Sequence, residues 1–155
     1  MSAGPAKTPT IRNRRATHDY EILDQFEAGI ALTGSEVKSL RSGKASLDEA
    51  FAMVRETEIV LREANIEHYP MAGLTQHKPK RERKLLLHKS EIRKLLGKVT
   101  QKGLTLIPLD MHFNDRGLVK VIIALARGKK THDKRADLKT REHKREMDRA
   151  LRRRP

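Results

Sequence analysis

The sequence contains no cysteine and no tryptophan, and only 3% of its 155 residues are aromatic. Without cysteine the chain cannot form disulfides, use a thiolate nucleophile or build a cysteine-ligated zinc site. No stretch approaches 18 consecutive apolar residues, and the N-terminus lacks the apolar run of a signal peptide. We therefore expect neither a membrane span nor secretion, and the absence of cysteine is compatible with a reducing cytoplasm.

Motifs that would indicate an enzyme are also missing. The chain has neither GxxxxGK[ST] nor GxGxxG, so it lacks both glycine-rich loops that cradle phosphates. Its seven histidines never form an HxH or HxxxH pair, which gives little support for a metal site. The carboxylates are mostly interleaved with lysine or arginine, as on a solvated surface. Nothing in the sequence therefore indicates catalysis, a cofactor or a metal.

Positive charge is what the chain has in excess, with 34 Lys and Arg against 20 Asp and Glu and a net charge of +14. Residues 1–15 carry +4 and residues 128–155 carry +7, whereas the long middle carries only +3. A nearly balanced body with a basic arm at each end is typical of nucleic-acid binding, to RNA or DNA. An anionic membrane is a less favoured partner, because neither arm has an apolar face to insert.

The last 28 residues, 128–155, contain twelve Lys or Arg, five Asp or Glu and only five apolar residues. Such a segment cannot bury enough apolar surface to offset the entropy of ordering it, so we expect it to be disordered in the free protein. Acids nevertheless precede bases at helical spacing, for example Asp137 before Arg141 and Asp148 before Arg152. We therefore expect this tail to become helical on a polyanion.

The body is expected to be one mainly β domain over residues 13–127, after a flexible leader over residues 1–12. The clearest strands are predicted at 104–113 and 118–127, joined by a turn at 114–117, with Pro108 at an edge or bulge. Other predicted elements are a strand over Tyr20–Phe26 broken by Gly29, a helix from Thr33 or Ser35 to Gly43, a hairpin around Glu56–Glu58, a loop over Pro70–Pro79 and a helix over Lys89–Lys102. Five or six strands with two or three helices predict a small β-barrel or a sheet capped by helices.

Several residues have two open interpretations. Arg14, Arg15 and His18 precede the first strand, where guanidinium groups can bind phosphates and an imidazole can stack on a base, although spacing alone favours a surface histidine. Glu27 is either an acceptor for base amino groups and ribose hydroxyls or an exposed acid at a strand end. Lys120 lies on an otherwise apolar strand face, where it either snorkels to the edge or marks a binding surface.

Two other basic regions are equally open. Lys38 and Arg41 on the short helix either face phosphates or keep the helix soluble. The segment 78–84 is either an RNA contact or a solvated connection into Leu85, Leu86 and Leu87.

Five segments closely resemble the SsrA-binding protein family, also called small protein B. They are NRRATHDY (13–20), FEAGIAL (26–32), GSEVKSLRSGKA (34–45), RKLLL (83–87) and GKKTHDKR (128–135). The similarity runs from about Asn13 to the C-terminus in the order of the family, and EVKSLR with GKKxHDKR is its most specific part. Ser35 stands where many family members carry a bulky aromatic residue.

The resemblance implies an oligonucleotide-binding-type β-barrel with flanking helices. It also implies a non-catalytic adaptor that binds the tRNA-like domain of transfer-messenger RNA and delivers it to stalled bacterial ribosomes for trans-translation. The alternative from composition is a general binder of structured RNA or a ribosome-assembly protein. The implied partners are the RNA, the ribosome at its decoding region and messenger channel, and, indirectly through the RNA, elongation factor Tu and alanyl-tRNA synthetase, all in the bacterial cytoplasm.

The resemblance also assigns roles to residues. Carried onto this chain, the RNA face includes His18, Glu27, Lys38, Leu86 and Lys120, to which the charge pattern adds Arg14, Arg15 and Arg41. The tail enters the empty messenger channel and becomes helical there. It begins with Lys129, Lys130, His132, Asp133, Lys134 and Arg135.

Overall fold

Nine strands and four α-helices make up the computed structural model, which describes residues 8–100, 103–129 and 131–152. The strands are β1 (Ile11–Arg12), β2 (Tyr20–Ile30), β3 (Ala45–Ser46), β4 (Phe51–Arg55), β5 (Glu58–Arg62), β6 (Asn65–Ile66), β7 (Arg83–Leu86), β8 (Leu104–Phe113) and β9 (Val119–Gly128). The helices are α1 (Ala16–Asp19), α2 (Gly34–Arg41), α3 (Lys89–Val99) and α4 (Thr131–Arg152), with a 3-10 turn over Gly73–Thr75. The mainly β class predicted from the sequence is confirmed.

Six antiparallel strands close into a ring. The order β8-β4-β5-β7-β2-β9 returns to its start because β9 also pairs with β8. β1 pairs with β8, while β3 and β6 form a separate two-stranded ladder. The strand pairs β2–β9 and β8–β9 have the most paired residues. The pair β4–β8 has the fewest, with Ala52 opposite Leu106. This closed ring is the small β-barrel that the strand pattern predicted.

The β8–β9 hairpin follows the sequence pattern closely, with β8 over Leu104–Phe113 as predicted and β9 one residue later than predicted at each end. The register shifts between Pro108 and Asp110, which is a bulge where proline has no N–H to donate. In the turn, the Asn114 side chain accepts the Leu118 N–H at 2.9 Å, and Gly117 has a φ of 78°. The predicted hairpin, bulge and turn are therefore confirmed.

Opposite faces of β9 pack against different clusters. Its inward face joins the main core inside the barrel, through Val119, Val121, Ile123 and Leu125. On the outer face, Ala124 and Ala126 form a small second cluster with Ile107 and with Ala16 of α1. Because Ala16 is 2% exposed, this cluster fixes the N-terminal segment to the outside of the barrel.

Gly29 does not break β2, contrary to the sequence prediction. The strand continues to Ile30, and Gly29 pairs with Lys120 on one side and with Leu86 on the other. A Cβ at this position would lie 3.2 Å from the Cβ of Leu86, so the side chain of β7 uses the space that glycine leaves. The glycine therefore serves a close approach between strands rather than a strand end.

The short helix α2 begins and ends at the predicted signals. Thr33 is the N-cap, and its N–H donates to Oε1 of Glu36 at 2.9 Å. Gly43, with a φ of 71°, follows the helix, and its N–H donates to the Leu40 carbonyl at 2.9 Å. The structure therefore selects Thr33 as the cap from the two predicted residues.

Ser35, the other predicted cap, is buried instead. Its hydroxyl lies 2.8 Å from Nδ1 of the buried His77, whose Nε2 lies 2.9 Å from the carbonyl of Ile66. A carbonyl only accepts, so Nε2 carries a hydrogen and donates to the Ile66 carbonyl. The buried hydrogen bond between Ser35 and His77 ties α2 to the loop before β7.

The basic segment 78–84 contains one buried residue, whereas Lys78, Lys80 and Lys84 are exposed and their contact with RNA stays a prediction. Its Arg83 begins β7 and is 0% exposed, and its guanidinium forms an ion pair with the equally buried Glu36. Arg83 also donates to the carbonyls of Ala64 and Arg81 at 2.9 Å. Burial lowers the pKa of Arg83, and Glu36 opposes that shift. Both interpretations of this segment were therefore wrong for Arg83, which is a structural residue.

Helix α3 begins at the predicted residue and ends at Val99. Its apolar stripe faces the barrel, with Leu95 fully buried, although Leu96 remains 42% exposed. Lys98 lies 3.4 Å from Oδ2 of Asp24, which connects the helix to β2. A backbone hydrogen bond from Gln25 and the contact with Lys98 hold the pKa of Asp24 below its usual value.

The predicted leader and tail are both described only in part. Ile11–Arg12 lie in the segment expected to be leader, but they form β1; residues 1–7 lie outside the described residues. In the tail, residues 131–152 form helix α4, whose root is held on α1. Lys129 donates to the carbonyls of Asp19 and Thr17, and Arg141 donates to the Thr17 hydroxyl at 3.2 Å. Disorder of this tail in the free protein stays a prediction.

Candidate nucleic-acid interface

Three of the predicted RNA-face residues lie together in one cleft of about 420 Å³. Glu27 comes from β2, Leu86 from β7 and Lys120 from β9. They meet because Gly29 pairs with both Leu86 and Lys120, which sets the side chains of the two flanking strands on either side of β2. We call this space the β2 cleft; its lining is Glu27, Gly29, Leu86, Leu87, His88, Glu91 and Lys120.

The β2 cleft combines a hydrogen-bond acceptor, a donor and an apolar wall. Glu27 has a 56% exposed side chain, so its carboxylate is open to accept hydrogen bonds. Lys120 is half-buried and supplies an ammonium donor, while Leu86 is 51% exposed. A splayed nucleotide presents amino groups, acceptors and a flat apolar ring, so it matches these three groups together. The arrangement suits recognition of an unpaired base better than binding of phosphate alone.

Leu86 also borders a second groove, of about 510 Å³, between β7 and α3. Ile92 and Leu96 of α3 form its apolar side, and Lys89 and Arg93 lie among its lining residues. Leu86 and its neighbour Leu87 thus line both the groove and the β2 cleft.

The N-terminal arm lies on the same outer face of the sheet as the β2 cleft. Ala16 packs on Ala124, which follows Lys120 at an even spacing on β9 and therefore points to the same side. The Asn13 side-chain amide donates to the carbonyl of Pro108 at 2.8 Å, which fixes the turn before α1. Arg14 and Arg15 in this turn are exposed, as phosphate contacts require.

His18 is held by its neighbour Asp19. Its Nδ1 lies 2.8 Å from Oδ1 of Asp19, and its side chain is 36% exposed. Because a carboxylate only accepts, Nδ1 carries a hydrogen and the ring orientation is fixed. A fixed, half-exposed imidazole on the outer face is suited to stack on a base.

Lys38 and Arg41 do not line the β2 cleft. Both lie on α2, which buries Leu40 in the main core and so presents its exposed side elsewhere. The ammonium of Lys38 lies 5.5 Å from the centroid of the Tyr69 ring, a cation–π contact. Arg41 is exposed in the last turn. Their contact with RNA stays a prediction, and it concerns a second surface.

His112 lies beside the cleft, although the sequence pattern did not predict it there. His112 lies on β8 opposite Lys120, its Nδ1 is 2.7 Å from Oδ1 of Asp110, and its Nε2 is 4.0 Å from Oε2 of Glu27. The available signal was Asp110 and His112 at alternate positions of a predicted strand, which places both on one face.

The tail residues are described unevenly. Lys129 contacts α1, and Arg135 is exposed on α4. Lys130 lies outside the described residues. His132, Asp133 and Lys134 lie in α4, but their side chains lie outside the described part of the chain.

Metal binding and membrane spanning find no support in the described ranges 8–100, 103–129 and 131–152. No group of three or more His, Asp or Glu side chains there is placed to hold a metal ion. No helix within those ranges is long and apolar enough to cross a membrane.

Comparison with known proteins gives consistent matches over most of the chain. Residues 10–153 match the family model described as SmpB protein. The SsrA-binding protein of Desulforamulus reducens is 56% identical over 142 residues, which cover 92% of this chain and 88% of that protein. The SsrA-binding protein of Thermobifida fusca is 55% identical over 151 residues, covering 97% and 94%. A solved chain from "tmRNA-SmpB: a journey to the center of the bacterial ribosome" superposes with a TM-score of 0.68 at 55% identity, over 80% of this chain and 87% of that one.

Proposed function

Because the chain belongs to the SmpB family of SsrA-binding proteins, we propose that it is an adaptor that binds the tRNA-like domain of transfer-messenger RNA. It delivers this RNA to stalled ribosomes for trans-translation, and it acts without catalysing a reaction itself. Its partners are the RNA and the ribosome, with elongation factor Tu and alanyl-tRNA synthetase associated indirectly through the RNA. Its place of action is the bacterial cytoplasm.

The β2 cleft is the observation that carries this proposal. Residues distant in the sequence, Glu27, Leu86 and Lys120, meet there, and each supplies a different group for a nucleotide. Around the cleft, His18 offers a ring for stacking and Arg14 and Arg15 offer guanidinium groups for phosphates. The barrel therefore reads a shaped RNA through splayed bases and holds it through the backbone.

The basic tail performs a different task. When messenger fills the channel, this polyanion occupies the binding site of the tail and blocks it sterically. When the channel is empty, ribosomal RNA phosphates neutralise the basic residues of α4, and the acid-before-base spacing supports the helix. Ordering of the tail on binding thus makes the adaptor sensitive to an empty channel.

A competition experiment separates this function from general RNA binding. The labelled tRNA-like domain is bound to the full chain at one fixed salt concentration, since electrostatic affinity changes steeply with salt. Unlabelled tRNA-like domain and an unrelated hairpin RNA of equal length then compete. We expect the hairpin to compete much more weakly. Equal competition would instead support a general binder of structured RNA or a ribosome-assembly protein.

A further inference from the structure

We propose that His112 is a positioning residue of the RNA face, which holds the carboxylate of Glu27 in place for RNA. This inference rests on the proposed function and adds to it a residue that the sequence comparison with the family did not assign. Three strands bring the groups together: Glu27 on β2, Lys120 on β9 and His112 with Asp110 on β8.

The sheet register explains how His112 reaches Glu27. Lys120 pairs with Gly29 on β2 and with His112 on β8, and the neighbouring Ile122 pairs with Glu27 and with Asp110. All of these side chains therefore point to the outer face, in two adjacent rows. Glu27 and His112 lie on the diagonal across β9, and their side chains close the gap to 4.0 Å between Oε2 and Nε2.

Asp110 determines which ring nitrogen faces Glu27. Its Oδ1 lies 2.7 Å from Nδ1 of His112, and a carboxylate can only accept, so Nδ1 carries a hydrogen. The ring is then fixed, with Nε2 towards Glu27. The 4.0 Å between Nε2 and Oε2 of Glu27 is within ion-pair range but too long for a hydrogen bond, so the coupling between the two groups is electrostatic.

Asp110 and His112 are more buried than Glu27. Asp110 and His112 are 29% and 27% exposed, whereas Glu27 is 56% exposed. The shielded pair is therefore the support, and Glu27 is the group that contacts the ligand. A carboxylate restrained in this way loses less conformational entropy when it accepts a base amino group or a ribose hydroxyl.

Several other charged or titratable groups face the same space, and the test must account for them. Lys120 is the cross-strand neighbour of His112, while His88 and Glu91 line the β2 cleft from the side of α3. The coupling between His112 and Glu27 is therefore the quantity to measure.

A double-mutant cycle measures that coupling. The affinity for the tRNA-like domain is determined for the wild type, Glu27→Gln, His112→Gln and the double variant, all at pH 6. We expect His112→Gln to weaken binding about threefold to tenfold in the wild-type background and less than about twofold beside Glu27→Gln. His68→Gln, an exposed histidine outside the cleft, is the matched control and should change affinity little.

The outcomes distinguish this inference from the function on which it rests. If the two losses simply multiply at pH 6, His112 does not act through Glu27 and the inference is overturned. If the wild type does not prefer the tRNA-like domain at all, the proposed function fails instead. Thermal unfolding of each variant excludes a loss of fold, and a non-additive cycle among equally stable variants supports the positioning role.

Discussion

Glu36 of α2 and Arg83 of β7 form an ion pair in which both side chains are 0% exposed. Arg81 adds a second guanidinium at 2.5 Å from Oε1 of Glu36, and the Thr33 N–H donates to the same oxygen. One carboxylate therefore caps the helix and neutralises a buried arginine at the same time. This relationship attaches α2 to the barrel.

Replacing Glu36 with glutamine should strongly destabilise the protein. The substitution leaves the guanidinium of Arg83 buried without a counter-charge, and breaking a buried pair in this way costs about 3–5 kcal/mol of the free energy of unfolding. Urea unfolding monitored by circular dichroism gives this value. Glu82→Gln is the control, since Glu82 pairs with Arg55 at the surface and should contribute less than about 1 kcal/mol. Equal losses in the two variants would contradict the structural role of the buried pair.

The same carboxylate predicts a loss of stability in acid. Burial raises the pKa of Glu36, but the hydrogen bonds from Arg81, Thr33 and Arg83 together lower it by more. The pKa of Glu36 therefore lies below the usual value of 4.5. A lowered folded pKa contributes stability that is present above pH 4.5 and is lost as the pH falls through the folded value. Urea midpoints of the wild type and Glu36→Gln should therefore converge below pH 4.5. A difference that stays constant down to pH 3 would refute this prediction.

Glu27→Gln should weaken RNA binding and leave stability nearly unchanged. The side chain is 56% exposed, so folding depends little on it, whereas a hydrogen bond to a charged acceptor is stronger than one to an amide. We expect a loss of about threefold to tenfold in affinity for the tRNA-like domain, measured by filter binding. Glu21→Gln on the same strand is the control, because Glu21 is exposed but pairs with Arg127 on the opposite face of the sheet. An equal drop in melting temperature and affinity would assign Glu27 to the fold.

Truncation after Gly128 should separate RNA binding from ribosome rescue. Gly128 completes β9 by pairing with Tyr20, so this boundary keeps the barrel intact. The truncated protein should bind the tRNA-like domain within about twofold of the full chain. The measurement is made at 0.15 M salt, because salt weakens the non-specific attraction between the basic tail and RNA. Tagging of stalled peptides in a reconstituted translation system should be lost. A comparable loss of both activities would contradict the division between barrel and tail.

A peptide of residues 128–155 should give a random-coil circular dichroism signal in buffer. Such a helix lacks a partner for its few apolar side chains, and most helical stability in proteins comes from packing of an apolar face. A stable helix in buffer would show that α4 forms by itself, without the contacts of Thr17 with Lys129 and Arg141.

The sequence predicted those elements whose ends and turns depend on residues close together in the chain. The β8–β9 hairpin follows from strict alternation and a turn sequence, and α2 follows from its cap and its closing glycine. Arg83 could not be interpreted in this way, because its partner Glu36 lies 47 positions earlier in the chain. Gly29 looks like a strand break in the sequence, because its close neighbour Leu86 belongs to another strand, β7. His112 likewise gains its meaning from Glu27, which only the closed barrel brings near.

Helix α4 gives the protein a fixed length scale. Twenty-two residues at 1.5 Å each extend about 33 Å, from a root fastened on α1 beside His18. The distance from the barrel to the tip of the helix then depends on the number of residues in α4. Each added or removed helical turn moves the tip by about 5.4 Å. Wherever the tail is helical, its length as well as its charge therefore determines what it can contact.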